Sequence, residues 1–99
     1  VLTGVCYDER RIGAAVYDGE KKSYVFTERL CRMYHGTGDI FSSTLTAALM
    51  NGRSLKAAAQ IAVNFTAACI KKTMEEDTDP RLGVNFESQI PNLIKYLQL

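Results

Sequence analysis

With 99 residues, 46% of them apolar, the chain can bury one small core and not two. Its 12 Lys and Arg against 11 Asp and Glu leave a formal net charge of +1; their scatter excludes the basic footprint of a nucleic-acid or acidic-membrane binder, and no apolar run approaches the ~20 residues that span a bilayer. Cys6, Cys31 and Cys69, odd in number and without Cys-x-x-Cys spacing, point away from a disulfide framework or a zinc site and toward the cytoplasm.

Val1-Leu2-Thr3-Gly4-Val5 is a strand-like apolar run. A chain that opens inside such a run, without an initiator Met or a charged leader, reads as a segment of something longer. Arg11 to Tyr17 alternates Ile12, Ala14 and Val16 against Gly13, Ala15 and Tyr17, and Asp18-Gly19 is a two-residue hairpin signal. Lys22 to Arg29 then pairs back, with Tyr24 and Phe26 on one face and Val25 and Thr27 on the other. Leu30 to Tyr34 connects to a glycine turn.

The first helix is expected from Gly38 or nearby, with Phe41, Leu45, Ala48 and Leu49 on its buried stripe and Asn51-Gly52 ending it. Ser54 is the N-cap of a longer second helix that puts Leu55, Ala58, Ala59, Ala62, Thr66, Cys69 and Ile70 on one face. Glu75-Glu76-Asp77 oppose the negative end of that helix, so it should fray there. Pro91 marks a break, and Ile90, Leu93, Ile94 and Leu97 make a short final amphipathic helix. Taken alone, strands followed by helices describe an α+β domain.

The chemistry concentrates in His35-Gly36-Thr37-Gly38-Asp39, followed directly by Ile40-Phe41-Ser42-Ser43. Gly36 and Gly38 let the backbone approach an anion, and the helix they open points unpaired N–H groups and a positive dipole end at it. The N–H groups of Gly36, Thr37, Gly38 and Asp39, with the Thr37 hydroxyl, form a candidate anion hole for a phosphate. Asp39 beside it is the candidate general base for an attacking alcohol. Read as bare Gly-x-Gly-Asp, the same residues are equally a glycine turn whose Asp39 stabilises the helix dipole.

The longer wording resolves that balance. Gly36-Thr37-Gly38-Asp39 followed by an aliphatic residue, Phe and small hydroxyl residues resembles the signature of the ribokinase-like family of small-molecule kinases. Asp39-Ile40-Phe41-Ser42-Ser43 is most similar to its vitamin B6 branch, the pyridoxal or pyridoxamine kinases. Val1-Leu2-Thr3-Gly4-Val5 resembles the strand and turn before the nucleotide site, and Asp79-Pro80-Arg81-Leu82-Gly83-Val84-Asn85-Phe86-Glu87 the end of such kinases. Family members are much longer, with most substrate contacts upstream of these residues.

The resemblance implies an α/β fold, the C-terminal portion of a ribokinase-like α/β/α sandwich. Residues 1–99 would be the nucleotide-binding and catalytic segment, whose first strand continues a mostly parallel sheet with the hairpin at an edge. It implies ATP with Mg²⁺ and a small alcohol, a B6 vitamer phosphorylated on its 5′-hydroxymethyl group, with no nucleic acid or membrane partner and a homodimeric parent in the cytoplasm. Among nucleotide contacts it adds Thr3, equally readable as a turn residue closing its strand, and Asn64, otherwise a partly exposed polar residue of the second helix. Ligands for the metal are not evident in these residues. His35 reads as a loop residue near the phosphates, Cys31 as a passive thiol, and Lys71-Lys72 with Glu75-Glu76 as a solvated helix face.

Two other readings have to be separated from this one. A hydroxymethylpyrimidine or sugar kinase of the same family would share the turn, although the pyrimidine kinases often carry Cys where Asp39 stands. A non-catalytic nucleotide-binding or interaction module would keep the fold without the chemistry.

Overall fold

The computed structural model describes residues 1–6, 11–28, 36–76, 83 and 85–97, and only the backbone of 4–6 and 28. Three strands, β1 (Leu2–Cys6), β2 (Arg11–Tyr17) and β3 (Lys22–Glu28), precede three helices, α1 (Thr37–Met50), α2 (Leu55–Glu76) and α3 (Ile90–Leu97), the last entered through a 3-10 turn at Glu87–Gln89. The connection expected over 30–34, His35, Cys31 and most of the 79–87 stretch lie outside the described residues.

The strands form one sheet in the order β1-β2-β3. Both pairings are antiparallel, so the parallel neighbour expected for β1 is not found among the described residues. The β2–β3 register runs from Arg11 opposite Glu28 to Tyr17 opposite Lys22. Alternation decides the faces: Ala14, Val16 and Val25 point inward and are buried, while Tyr17, Tyr24 and Phe26 are exposed on the other side. On that open face the Arg11 guanidinium lies 4.9 Å from the centre of the Phe26 ring.

The hairpin turn sits one residue later than Asp18-Gly19 suggests. Asp18 N–H donates to the Lys21 carbonyl at 3.4 Å, which leaves Gly19 and Glu20 as the two central residues. The Asp18 carboxylate causes the shift, since its Oδ1 accepts from the N–H of Lys21 at 2.9 Å and of Glu20 at 3.0 Å. Those same donors hold its carboxyl below the ordinary range.

Gly13, opposite Phe26, is fixed by close approach. A Cβ there would collide with the Val25 carbonyl oxygen and come within 2.6 Å of the Phe26 Cα. Both obstacles are backbone, so no side-chain rotation relieves them.

One core lies between sheet and helices, with Ala14, Val16 and Val25 meeting Phe41 of α1 and Ala59, Ala62 and Val63 of α2. A second cluster joins Ala48, Ala58 and Leu97, with Leu45 packed against both. Leu49 is not on the buried stripe of α1: it is 41% exposed, and Thr44 is buried instead. Thr44 tolerates this because its hydroxyl donates to the Ile40 carbonyl at 2.7 Å. On α2, Val63, Phe65 and Thr73 are buried while Thr66 and Ile70 are half-buried. α2 touches β2, β3, α1 and α3, so its buried surface is wider than a single stripe.

The ends of the helices follow local chemistry. Ser54 Oγ accepts from Ala57 N–H at 3.2 Å, the N-cap expected for α2. Thr73, fully buried, donates to the Cys69 carbonyl and accepts from Asn85 N–H, both at 2.7 Å, which ties Asn85 to that helix. The break at Pro91 falls before it, in the 3-10 turn. Pro91 itself occupies the first turn of α3, where a missing N–H costs no helical bond. Only Leu97 of the final apolar set is buried; Leu93 is half-buried, and Ile90 and Ile94 are exposed.

Gly13→Ala should destabilise the chain by about 2 kcal/mol, a fall of roughly 8–16 °C in Tm by thermal melting for a domain of this size. Burial, and to a lesser degree the charge of Glu87, pushes the Cys69 thiol up to about 11. A folded pKa above the ordinary 9.0 gives stability fully present below pH 9 and lost as pH rises toward 11. Peptide mapping after iodoacetamide at pH 8 should therefore find Cys69 unmodified in the native chain and modified in denaturant.

Candidate active site

The first turn of α1 owes its shape to Gly36. This N-cap residue has φ 87° and ψ −1°, left-handed dihedrals that a Cβ disfavours, and it has no side chain with which to cap the helix. Its carbonyl accepts the first helical bond, from Ile40 N–H at 3.0 Å. The N–H groups of Thr37, Gly38 and Asp39 come before that bond and so lack helical acceptors. Gly36, Gly38 and Asp39 are exposed and Thr37 is half-buried, so the donors open toward solvent.

Asp39 is the one acidic residue of this turn. Two residues on, Phe41 is buried among Ala14, Val25 and Ala59, anchoring the turn to the core. Gly38 differs from Gly36 in that its φ is not positive; a Cβ on either would meet nothing within 4 Å. Among the described residues neither backbone conformation nor packing calls for glycine there.

Gly36, Thr37, Gly38 and Asp39 are thus brought together by the helix start. Thr3 and Asn64 are not joined to them by any hydrogen bond among the described residues. Thr3 is exposed on β1, inside a register shift: Leu2 pairs with Ala15 and Val5 with Gly13, so β1 carries one extra residue. Bulges of this kind redirect a side chain next to functional sites. Asn64 lies half-buried on α2, where its Oδ1 accepts from Gln60 Nε2 at 3.0 Å. Gln60 Nε2 also donates to the Phe26 carbonyl at 3.3 Å. Gln60 is the partner the sequence reading overlooked, and its i,i+4 spacing from Asn64 was the available signal.

Among the described residues no three His, Cys, Asp or Glu gather into a metal site. Asp39 alone at the turn does not make one. No helix among those residues is long and apolar enough to cross a membrane.

Comparison with known proteins identifies the family and the fold. A family model described as phosphomethylpyrimidine kinase matches residues 1–81, and the chain belongs to that family. Its fold is similar to that in the crystal structure of pyridoxal kinase from Lactobacillus plantarum, with a TM-score of 0.82 and 24% identity over 94% of this chain. The chain spans 34% of that structure's length and corresponds to its C-terminal portion. No curated protein matches the sequence significantly. The expected fold, the C-terminal portion of a ribokinase-like sandwich, is therefore the one adopted.

Gly38→Ala separates fold from site. Because the added methyl has room and suits a helix, Tm should hold or rise, whereas the anion hole expected from the sequence requires that nucleotide affinity, measured by titration, fall.

Proposed function

We propose that the chain is the nucleotide-handling and catalytic segment of an ATP-dependent kinase that phosphorylates the 5′-hydroxymethyl group of pyridoxal, pyridoxamine or pyridoxine. The observation that carries this reading is the uncapped, left-handed glycine start of α1 with Asp39 in its first turn. Phosphoryl transfer asks little covalent work of a protein and much positioning and charge neutralisation. Oriented N–H groups and a helix dipole supply the second.

In the proposed reaction, N–H groups of Gly36, Thr37, Gly38 and Asp39 hold phosphate oxygens, with the Thr37 hydroxyl as a further donor. The substrate hydroxyl oxygen forms a bond to the γ-phosphorus as the bond to the β,γ-bridging oxygen breaks, releasing ADP. The hydroxyl proton passes to the Asp39 carboxylate. Thr3, on the bulge of β1, and Asn64, held by Gln60, are proposed as outer nucleotide contacts. Mg²⁺ is expected to travel with the nucleotide phosphates, which it neutralises, but this chain's described residues offer it no ligand cluster.

The open aromatic face of the sheet supports the view that residues 1–99 are one segment of a larger domain, since a sandwich covers both sheet faces. A cytoplasmic homodimer of that larger protein completes the proposal. The name of the matching family favours a second reading, a kinase for a hydroxymethylpyrimidine. ATP turnover by the complete enzyme against pyridoxal, pyridoxamine, hydroxymethylpyrimidine and ribose distinguishes them. Phosphorylation of a B6 vitamer is expected, with Asp39→Asn about 100- to 10,000-fold slower. Turnover of the pyrimidine alone would move the substrate, and undiminished turnover by a folded Asp39→Asn would remove Asp39 as the base.

A further inference from the structure

α1 packs chiefly along α2, and its far end is fastened separately. Gly52 N–H donates to the Leu49 carbonyl and Arg53 N–H to the Ala48 carbonyl, both at 3.1 Å, the paired bonds of a Schellman stop. From this closed turn the Arg53 side chain donates through Nη2 to the Leu97 carbonyl of α3 at 2.9 Å, across 44 residues of sequence. Leu97 is only 5% exposed and shares a buried cluster with Ala48 and Ala58. One residue thus grips the last turn of α1 with its backbone and the end of α3 with its side chain. Its positive charge also sits at the negative end of the α1 dipole.

We infer that Arg53 and Leu97 are positioning residues for the anion-holding turn at the opposite end of α1. The inference rests on the role proposed above for that turn. Phe41 seats the helix in the sheet-side core. At 1.5 Å per residue Thr37 lies about 6 Å from Phe41 along the axis, and Met50 about 13 Å in the other direction. A helix pivoting at Phe41 converts a tilt of about 5° into a displacement of about 0.5 Å at Thr37, the tolerance within which a preorganised site must be held. The long arm, where the lever is best controlled, is the arm that Arg53 and Leu97 hold.

The test is steady-state kinetics of the complete enzyme carrying Arg53→Met, Arg53→Lys, Leu97→Ala or Asp18→Ala. Arg53→Met and Leu97→Ala should raise the KM for ATP about three- to tenfold while the KM for the alcohol stays within about twofold. Arg53→Lys, which keeps a donor at similar reach, should recover most of the loss. Asp18→Ala, which frees the two amides of the hairpin turn and lowers Tm without touching the fastening or the seat of Phe41, should leave the KM for ATP unchanged. An unaltered KM in Arg53→Met, or an equal rise in Asp18→Ala, overturns the inference even where Asp39→Asn confirms the base. NMR of the 99-residue chain gives a readout independent of turnover: amide resonances of Gly36 to Ile40 should shift in Arg53→Met and Leu97→Ala but not in Asp18→Ala. Unshifted resonances in the first two overturn it as well.

Discussion

The close seating of α2 is the constraint on which the other elements depend. Ala58, Ala59 and Ala62 are all fully buried, and their single methyl groups let the sheet approach from one side and α1 from another without a large side chain between them. A helix that serves several neighbours at once needs more than a narrow stripe, and α2 buries residues over an arc of about 160°. The alanines also keep its intrinsic helical preference high over 22 residues. An Ala→Leu change at 59 or 62 would therefore disturb both the sheet-side and the helix-side contacts, because a close-packed interior has no spare volume.

The turn at Gly36 inherits its position from that packing through Phe41. A bare helix start is a common feature and a weak anion site; what distinguishes this one is the division of labour over its first residues. Gly36 sets the backbone, Thr37 to Asp39 present donors and one carboxylate, and Phe41 ties them to the core within about one turn. For the proposed anion hole, preorganisation of this kind matters because donors held in place need no reorientation when charge develops. The exposed carboxylate of Asp39 and the open space over Gly38 leave that region accessible from solvent.

The sequence was most legible where one physical signal acted alone. The alternation of Ile12, Ala14 and Val16 together with the Asp18-Gly19 signal located both hairpin strands, expected over Arg11–Tyr17 and Lys22–Arg29 and described over Arg11–Tyr17 and Lys22–Glu28. Ser54 located the start of α2 through a hydroxyl with one clear partner. Legibility failed where two signals competed. Asp18-Gly19 looked like a pair of central turn residues until the Asp18 carboxylate captured two amides and moved the turn. Thr44 and Thr73 read as polar, yet both are buried because a hydroxyl can bond its own helix four residues back. For the site, the contiguous Gly36–Asp39 turn was visible in the motif. Long-range ties such as Gln60 to Phe26 and Arg53 to Leu97 depend on tertiary placement that no local pattern encodes.

The two faces of the sheet carry the last step. An antiparallel sheet with one wet face normally alternates apolar with polar residues. Here the face away from α2 offers Tyr17, Tyr24 and Phe26, three aromatics at 60%, 55% and 45% exposure, beside the charged Arg11 and Lys22. Tyr17, Tyr24 and the apolar Leu2 border a shallow depression on that face. Large apolar surface of this kind is what a sandwich buries under a second layer. Its composition suits a chain that spans about a third of its structural relative and folds as that relative's C-terminal portion. The alternation that makes the hairpin easy to read thus records two different interiors, one filled by α2 and the other left open by these residues.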